Sequence, residues 1–226
     1  MPSTKPPEQG SGVFITIEGG DGAGKTTQAT LLQRRLEAAG RKVVLTRDPG
    51  GTPVGEEIRG VLLSAARKEG EGHSPSSLAP QTEALLFEAS RAQLVRDVIR
   101  PALERGEIVV CDRYSDSTLA YQGYGRGLDI EALEAADRLA TGGLKPHLSV
   151  FLDLRVETAL GRKGEREEQD HVGGQSRAFH ERVRRGFADL AAKEPRRWLI
   201  VDAALPVEAV ADLIWERVQS LLEPGG

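Results

Sequence analysis

Two hydrophobic periods alternate along the chain. Short β-branched apolar runs over 13–17, 42–46, 107–111, 148–152 and 198–202 read as five strands, 42–46 as a buried one. Between them, apolar residues recur at three- and four-residue spacing, which predicts helices over 26–39, 54–65, 81–105, 130–140, 156–161, 177–193 and 207–222. In the first helix Leu31, Leu32 and Leu36 share one stripe, and Gly40 stands just past its end as a stop. The long 81–105 stretch offers Leu85, Leu86, Leu94, Val95, Val98 and Leu103 for burial, and Pro101 predicts a kink or break inside it. Strands alternating with helices predict an α/β fold, a five-stranded parallel sheet with helices on both faces.

The segments outside this pattern are turn-rich or charged. Residues 1–12 are Pro, Ser, Gly and charge, which predicts a disordered leader ahead of one domain over 13–226. The polar Gly/Ser/Pro-rich 67–80 stretch predicts a mobile connection, and residues 223–226 a fraying tail.

The chemistry begins at the turn between the first strand and first helix. Gly19-Gly20-Asp21-Gly22-Ala23-Gly24-Lys25-Thr26 satisfies the phosphate-loop pattern G-x-x-x-x-G-K-[ST], in the strand-to-helix setting that pattern requires. Glycine admits positive φ and close backbone approach, so successive N–H groups can form an anion nest at a helix N-terminus. Lys25 then sets an ammonium against the β- and γ-phosphates, and Thr26 offers its hydroxyl to Mg²⁺. The dinucleotide spacing G-x-G-x-x-G is not completed from Gly20 or Gly22. At the end of the third strand, Val109-Val110-Cys111-Asp112 runs apolar residues into an aspartate, which matches the second phosphate-loop element that helps hold Mg²⁺; a helix-capping aspartate is the alternative.

Further candidates cluster at strand ends. Arg47 sits in Thr46-Arg47-Asp48-Pro49-Gly50-Gly51-Thr52, a turn where open α/β sheets place ligands, and is a candidate phosphate clamp rather than a solvated loop arginine. Phe87 and Arg91 are spaced i,i+4 on one helix face, which suits a flat, hydrogen-bonding base; core packing is the other reading of Phe87. Arg113, Ser117, Thr118, Tyr121 and Gln122 gather polar and aromatic groups in one short stretch. These residues outline a second pocket beside the nucleotide phosphates, which favours a small-molecule kinase over a motor or transport ATPase. The charged 162–170 segment is either a solvated helix face or a cationic cover for a transferring phosphoryl group, supplied by Arg162, Lys163 and Arg166.

Bulk properties narrow the setting. With 226 residues and a formal net charge of −4, the chain suits one domain with a sizeable core and gives no reason to expect a nucleic-acid or membrane partner. Its single cysteine, Cys111, excludes an intrachain disulfide and suits a reducing compartment. No 18-residue apolar run or signal-peptide core occurs, so the expectation is a soluble cytoplasmic protein.

From about Phe14 to its end the chain resembles the bacterial thymidylate kinases, P-loop nucleoside monophosphate kinases with a short lid. The resemblance rests on the phosphate-loop stretch 14–26, the 46–52 turn, Leu86-Phe87-Glu88-Ala89-Ser90-Arg91, and the 112–123 stretch from Asp112 to Gly123, found in the family's order. It implies phosphoryl transfer from ATP to dTMP with Mg²⁺, a homodimer, and a lid over about 162–174. It assigns Gly19, Gly20, Asp21, Gly22, Ala23, Gly24, Lys25, Thr26, Thr27 and Lys163 to ATP, with Asp202 and Ala203 bordering adenine. Thr26 and Asp112 would serve Mg²⁺. On the acceptor side it implies Asp21 for the sugar 3′-hydroxyl or a Mg²⁺-linked water, and Arg47 and Arg113 for the dTMP phosphate. Phe87 would stack on thymine, Arg91 would bond its carbonyl edge, Ser117 and Thr118 would lie at the base, Tyr121 would crowd the 2′ position, and Gln122 would sit near the sugar. Lys25, Arg162 and Arg166 would complete the catalytic cations. Two departures stand out: Asp48 where the family usually has Glu, and Asp170-His171-Val172-Gly173 where its lid commonly has Asp-Arg and an acidic residue. Another nucleoside monophosphate kinase, or a nucleotide-binding regulator with weak turnover, are the alternatives.

Overall fold

A computed structural model describes residues 12–69, 78–164 and 175–223. The expected leader up to residue 11, residues 70–77 of the expected connection, residues 165–174 of the expected lid and residues 224–226 lie outside the described residues. In chain order the elements are β1 (Val13–Gly19), α1 (Lys25–Ala38), β2 (Val43–Arg47), α2 (Pro53–Glu69), α3 (Pro80–Leu94), α4 (Arg100–Glu104), β3 (Ile108–Asp112), α5 (Ser115–Thr118), α6 (Ile130–Thr141), β4 (Leu148–Asp153), α7 (Val156–Gly164), α8 (Arg177–Lys193), β5 (Trp198–Asp202) and α9 (Val207–Leu222).

The strands form one parallel sheet in the order β2-β3-β1-β4-β5. Alternation along β1 divides its side chains between two faces. Val13, Ile15 and Ile17 pack with Leu32 and Leu36 of α1 and Val210, Ile214 and Val218 of α9. Phe14 points the other way, against Leu94, Ile99 and Ala102, while Phe151 of β4 joins Phe179, Val183 and Phe187 of α8. Both faces are covered, which is why the central strands read as continuous apolar runs. The carboxyl ends of β1, β2 and β3 stand side by side, and Arg47 is in register with Asp112.

The 42–46 run is not a buried strand: β2 is an edge strand, and Leu45 is 36% exposed. The 81–105 pattern is interrupted, as Pro101 predicts. It passes from α3 through a π-helical turn, Val95–Ile99, into α4; Pro101 has no N–H and would crowd the Asp97 carbonyl in a regular α-helix, so the backbone widens just before it. Leu85 within it is 62% exposed rather than buried. The 117–123 stretch, without a clear period in the sequence, forms α5 and a second π-helical segment, Leu119–Gly125. Helix α8 presses against that segment: a Cβ on Gly125 would come within 2.6 Å of the Phe179 ring, so glycine is what lets the two meet.

Candidate active site

A cavity of about 1470 Å³ opens over the carboxyl ends of β1, β2 and β3. That exceeds the ~300–1,000 Å³ of a typical single-ligand site. Of the residues singled out from sequence, Asp21, Gly22, Ala23, Gly24, Lys25, Thr26, Thr27, Arg47, Phe87, Arg91, Asp112, Arg113, Ser117, Thr118, Tyr121, Gln122 and Ala203 line it. Gly19, Gly20 and Asp202 do not. The side chains of Arg162 and Lys163, and the whole of Arg166, lie outside the described residues.

The phosphate end is built by β1 turning into α1. Gly24 caps α1 at φ 90°, a conformation glycine holds without strain, and has no side chain to occupy the first N–H groups of the helix. N–H groups left open at a helix N-terminus, with the helix dipole behind them, suit an anion. Lys25 is 8% exposed and donates from Nζ to the Gly20 carbonyl at 2.8 Å. Burial first, then the charge of Arg113, brings its pKa down to about 8. The Thr26 hydroxyl donates to Asp112 Oδ2 at 2.6 Å, so the two expected Mg²⁺ residues meet at the cavity rim.

Two arginines flank this end. Arg113 follows β3 at φ 69°, a left-handed conformation that costs a non-glycine residue of order 1–3 kcal/mol and marks a constrained site. Its Nη1 donates to the Gly19 carbonyl at 2.9 Å and to Ser117 Oγ at 3.2 Å, and its Nη2 to Asp21 Oδ1 at 2.7 Å and Tyr121 Oη at 3.1 Å. Tyr121 in turn donates to Asp21 Oδ1 at 2.9 Å. Arg47, at the end of β2, is about half exposed and pairs with Glu56 at 2.8 Å, so it is free to exchange that partner for an anion.

The far end carries α3. Phe87 is half-buried and lines the cavity rather than being enclosed in the core. Arg91 has a larger structural duty than sequence reasoning gave it. It is 1% exposed, and its Nε donates to Asp48 at 2.7 Å, Nη1 to Glu88 at 2.6 Å and Asp137 at 3.2 Å, and Nη2 to Thr118 Oγ1 at 2.7 Å. The remaining Nη2 hydrogen faces the Tyr114 carbonyl across 3.5 Å, the one weak contact of the five N–H groups and the one available to a ligand. Burial pushes Asp48 up and Glu88 up to about 7, with Arg91 opposing both. Asp48, the departure from the family pattern, is thus the buried counter-ion of Arg91. Gln122 donates to Glu83 at 2.6 Å, and Arg126 holds the same carboxylate from Nη2 at 2.6 Å.

Sequence reasoning gave no role to Asp48, Glu83, Asp137 or Arg126, because each acts across elements distant in the chain; Glu88, three residues before Arg91, was within reach of a helical spacing rule. At the opposite end of the cavity the wall is Ala203, Leu205 and Val207, with Leu205 and Val207 40% and 51% exposed. Asp202, expected there, instead accepts from the Ala204 N–H at 2.9 Å and turns away as a local cap. Among the described residues no helix is long and apolar enough to cross a membrane.

A sequence model of the family described as thymidylate kinase matches residues 17–214. The thymidylate kinase of Thermomicrobium roseum is 51% identical over 218 residues, 94% of this chain and 97% of the relative. That of Deinococcus radiodurans is 50% identical over 207 residues, 92% and 96% of the two chains. The crystal structure of thymidylate kinase from Ehrlichia chaffeensis superposes with a TM-score of 0.73 at 34% identity, covering 92% of this chain and 99% of that one. The match is therefore nearly full-length in sequence and in fold, and the chain belongs to the thymidylate kinase family.

Proposed function

We propose that the cavity holds the two nucleotides of the family's reaction, the phosphorylation of dTMP to dTDP by ATP, phosphate end to phosphate end. The observation that carries this reading is the convergence of the phosphate loop with Arg47, Arg113, Phe87 and Thr118 on one cavity. ATP lies along the loop with its β- and γ-phosphates at Lys25 and its base against Ala203. The acceptor phosphate takes Arg47 and Arg113, thymine stacks on Phe87, and Asp21 with Tyr121 borders the sugar.

Two polyanions have to be brought into line, so the residues work by positioning and charge neutralisation rather than by proton transfer. The acceptor phosphate is already ionised near neutral pH and needs no general base. Lys25 meets charge on the transferring group, and Arg47 leaves Glu56 for the acceptor. Thr118 Oγ1 accepts from Arg91, which leaves its own O–H to donate to a base carbonyl. Arg162, Lys163 and Arg166 belong to this reading as the cover over the transferring group. Gln122, fixed by Glu83, buttresses the sugar side.

The hydroxyl of Thr26 and carboxylate of Asp112 are hard oxygen donors that meet at the rim, a set that fits Mg²⁺, which takes few protein ligands and fills its shell with water and phosphate oxygens. When bound there the ion would offset the charge of the ATP phosphates. Asp112→Asn is expected to raise the Mg²⁺ concentration for half-maximal rate by about ten- to a hundredfold. A Mg²⁺ titration at saturating nucleotides measures it, and an unchanged midpoint would take Asp112 out of the site.

The reading includes a homodimer and a cytoplasmic location. Val54 and Val61, a heptad apart on α2, and Leu85 on the adjoining α3 are exposed apolar side chains that a second copy could cover. A coupled ADP-release assay across dTMP, dUMP, dCMP, AMP and GMP tests the function, with dTMP expected to give the highest kcat/KM. Preference for another base would reject the thymine pocket, and ATP binding without ADP release would favour a regulator.

A further inference from the structure

One buried acid beside the acceptor clamp has no part in the chemistry above. Glu18, next to last in β1, is 0% exposed and shares the face of Phe14 and Thr16. Its Oε2 accepts from the Ser117 hydroxyl at 2.6 Å, and its Oε1 has no hydrogen-bond partner among the described residues. The Ser117 oxygen accepts in turn from Arg113 Nη1 at 3.2 Å. A two-bond relay therefore joins the carboxyl of Glu18 to the guanidinium of Arg113.

We propose that Glu18 is a positioning residue for the acceptor phosphate, holding Arg113 in place through Ser117; this rests on the reading of Arg113 as a ligand of that phosphate. The relay works best with an uncharged carboxyl. An ionised carboxylate buried with one bare oxygen is costly, whereas a neutral acid carries its proton on Oε1 and still accepts through Oε2. Arg113 already faces Asp21 at 2.7 Å, and a second carboxylate beside it would cancel the positive charge the phosphate has to meet. The surroundings favour the neutral form. Asp116 of α5 lies near, itself held by Arg197 at 2.7 and 3.0 Å. Arg113, Arg91 of α3, Lys25 of α1 and Cys111 of β3 are the other titratable neighbours, while Arg184 of α8 is committed to Asp153. Burial first, and Asp116 second, push Glu18 up to about 8. Glu18 is thus protonated at neutral pH and ionises on the alkaline side, where it competes with the phosphate for Arg113.

The test is steady-state kinetics of the full chain and of Glu18→Gln and Glu18→Ala, varying dTMP at saturating ATP and the reverse. Saturating ATP keeps the alkaline weakening at Lys25 out of the dTMP measurement. In the unaltered chain the KM for dTMP should rise about fivefold between about pH 7 and pH 9. Glu18→Gln keeps an oxygen for Ser117 but cannot ionise, so its KM should start near the unaltered value and stay within about twofold over that range. Glu18→Ala removes the acceptor for Ser117 and should raise the KM for dTMP about tenfold at pH 7 with the KM for ATP within about twofold. A Glu18→Gln profile that rises like that of the unaltered chain would overturn the proposal alone, as would an equal rise of both KM values in Glu18→Ala. If Glu18→Ala does not fold, the Glu18→Gln profile decides. An unaltered chain that releases no ADP with dTMP would overturn this proposal and the functional reading together.

Discussion

Lys25→Ala is expected to lower kcat by about 10²–10³-fold, ~3–4 kcal/mol of transition-state stabilisation, the usual cost of losing one strong preorganised charge contact. Lys25 is the one cation that the phosphate loop itself supplies, and it is buried at the first turn of α1 with its ammonium resting on the Gly20 carbonyl. The loss has a distinctive companion. Burial and Arg113 lower the Lys25 pKa to about 8 in the nucleotide-free fold, so the fold disfavours the ammonium. A lowered basic pKa makes its contribution to stability largest above the unfolded value of 10.5 and lost as pH falls through about 8. Near neutral pH the nucleotide-free variant should therefore be at least as stable as the unaltered chain while turning over far more slowly. ATP affinity of the unaltered chain should weaken as pH rises past about 8, where the free ammonium loses its proton. Single-turnover rates, urea midpoints and ATP titrations measure the three effects. A near-normal rate, or a slow variant that is also unfolded, would contradict the assignment.

The second large effect is on stability. Arg91→Met is expected to destabilise the fold by about 3–5 kcal/mol near neutral pH, the range for breaking a buried ionic cluster from one side. Arg91 and Asp48 are each 1% exposed at the side chain, and Glu88 7%. Methionine fills much of the volume but leaves Asp48, Glu88 and Asp137 without their shared counter-ion. Burial already raises Glu88 to about 7 against the pull of Arg91, and removing the arginine raises it and Asp48 further. An acid whose folded pKa is raised favours the fold when protonated, so the deficit should be largest above about pH 7 and narrow as pH falls toward the unfolded value of 4.5. Urea unfolding at about pH 8 and pH 5 reads this directly. Equal deficits at both pH values, or a loss below about 1 kcal/mol, would show that the cluster does not bear the charge balance given to it here.

These two residues also mark what the sequence could and could not disclose. Lys25 was legible because its setting is local: strand, glycine turn and helix follow one another within fourteen positions, 13–26, and each residue type has a reason in that order. The central strands β1, β3 and β4 were legible too, since burial on both faces leaves continuous apolar runs. Strand order leaves no such trace, so 42–46 read as buried although β2 lies at the sheet edge with Leu45 exposed. Phe87 and Arg91 could be placed on one helix face by spacing. The partners that make Arg91 an ion-cluster hub come from the β2 turn, α5 and α6, and their meeting depends on packing that no short-range pattern encodes. The segment carrying Tyr121 and Gln122 had no clear period because it winds as a π-helix held by α8 and by Glu83 of α3. Asp202 was named only through the family resemblance, and no pattern in the sequence hinted that its carboxylate accepts from the Ala204 N–H to close a local turn.

The most direct measurement is a crystal structure of the chain with ADP, dTMP and Mg²⁺ bound. The account predicts the ADP phosphates along Gly22 to Thr26, the dTMP phosphate between Arg47 and Arg113, and thymine on the Phe87 ring. A dTMP molecule seated outside this cavity, or one inside it with its phosphate turned away from both arginines, would contradict it.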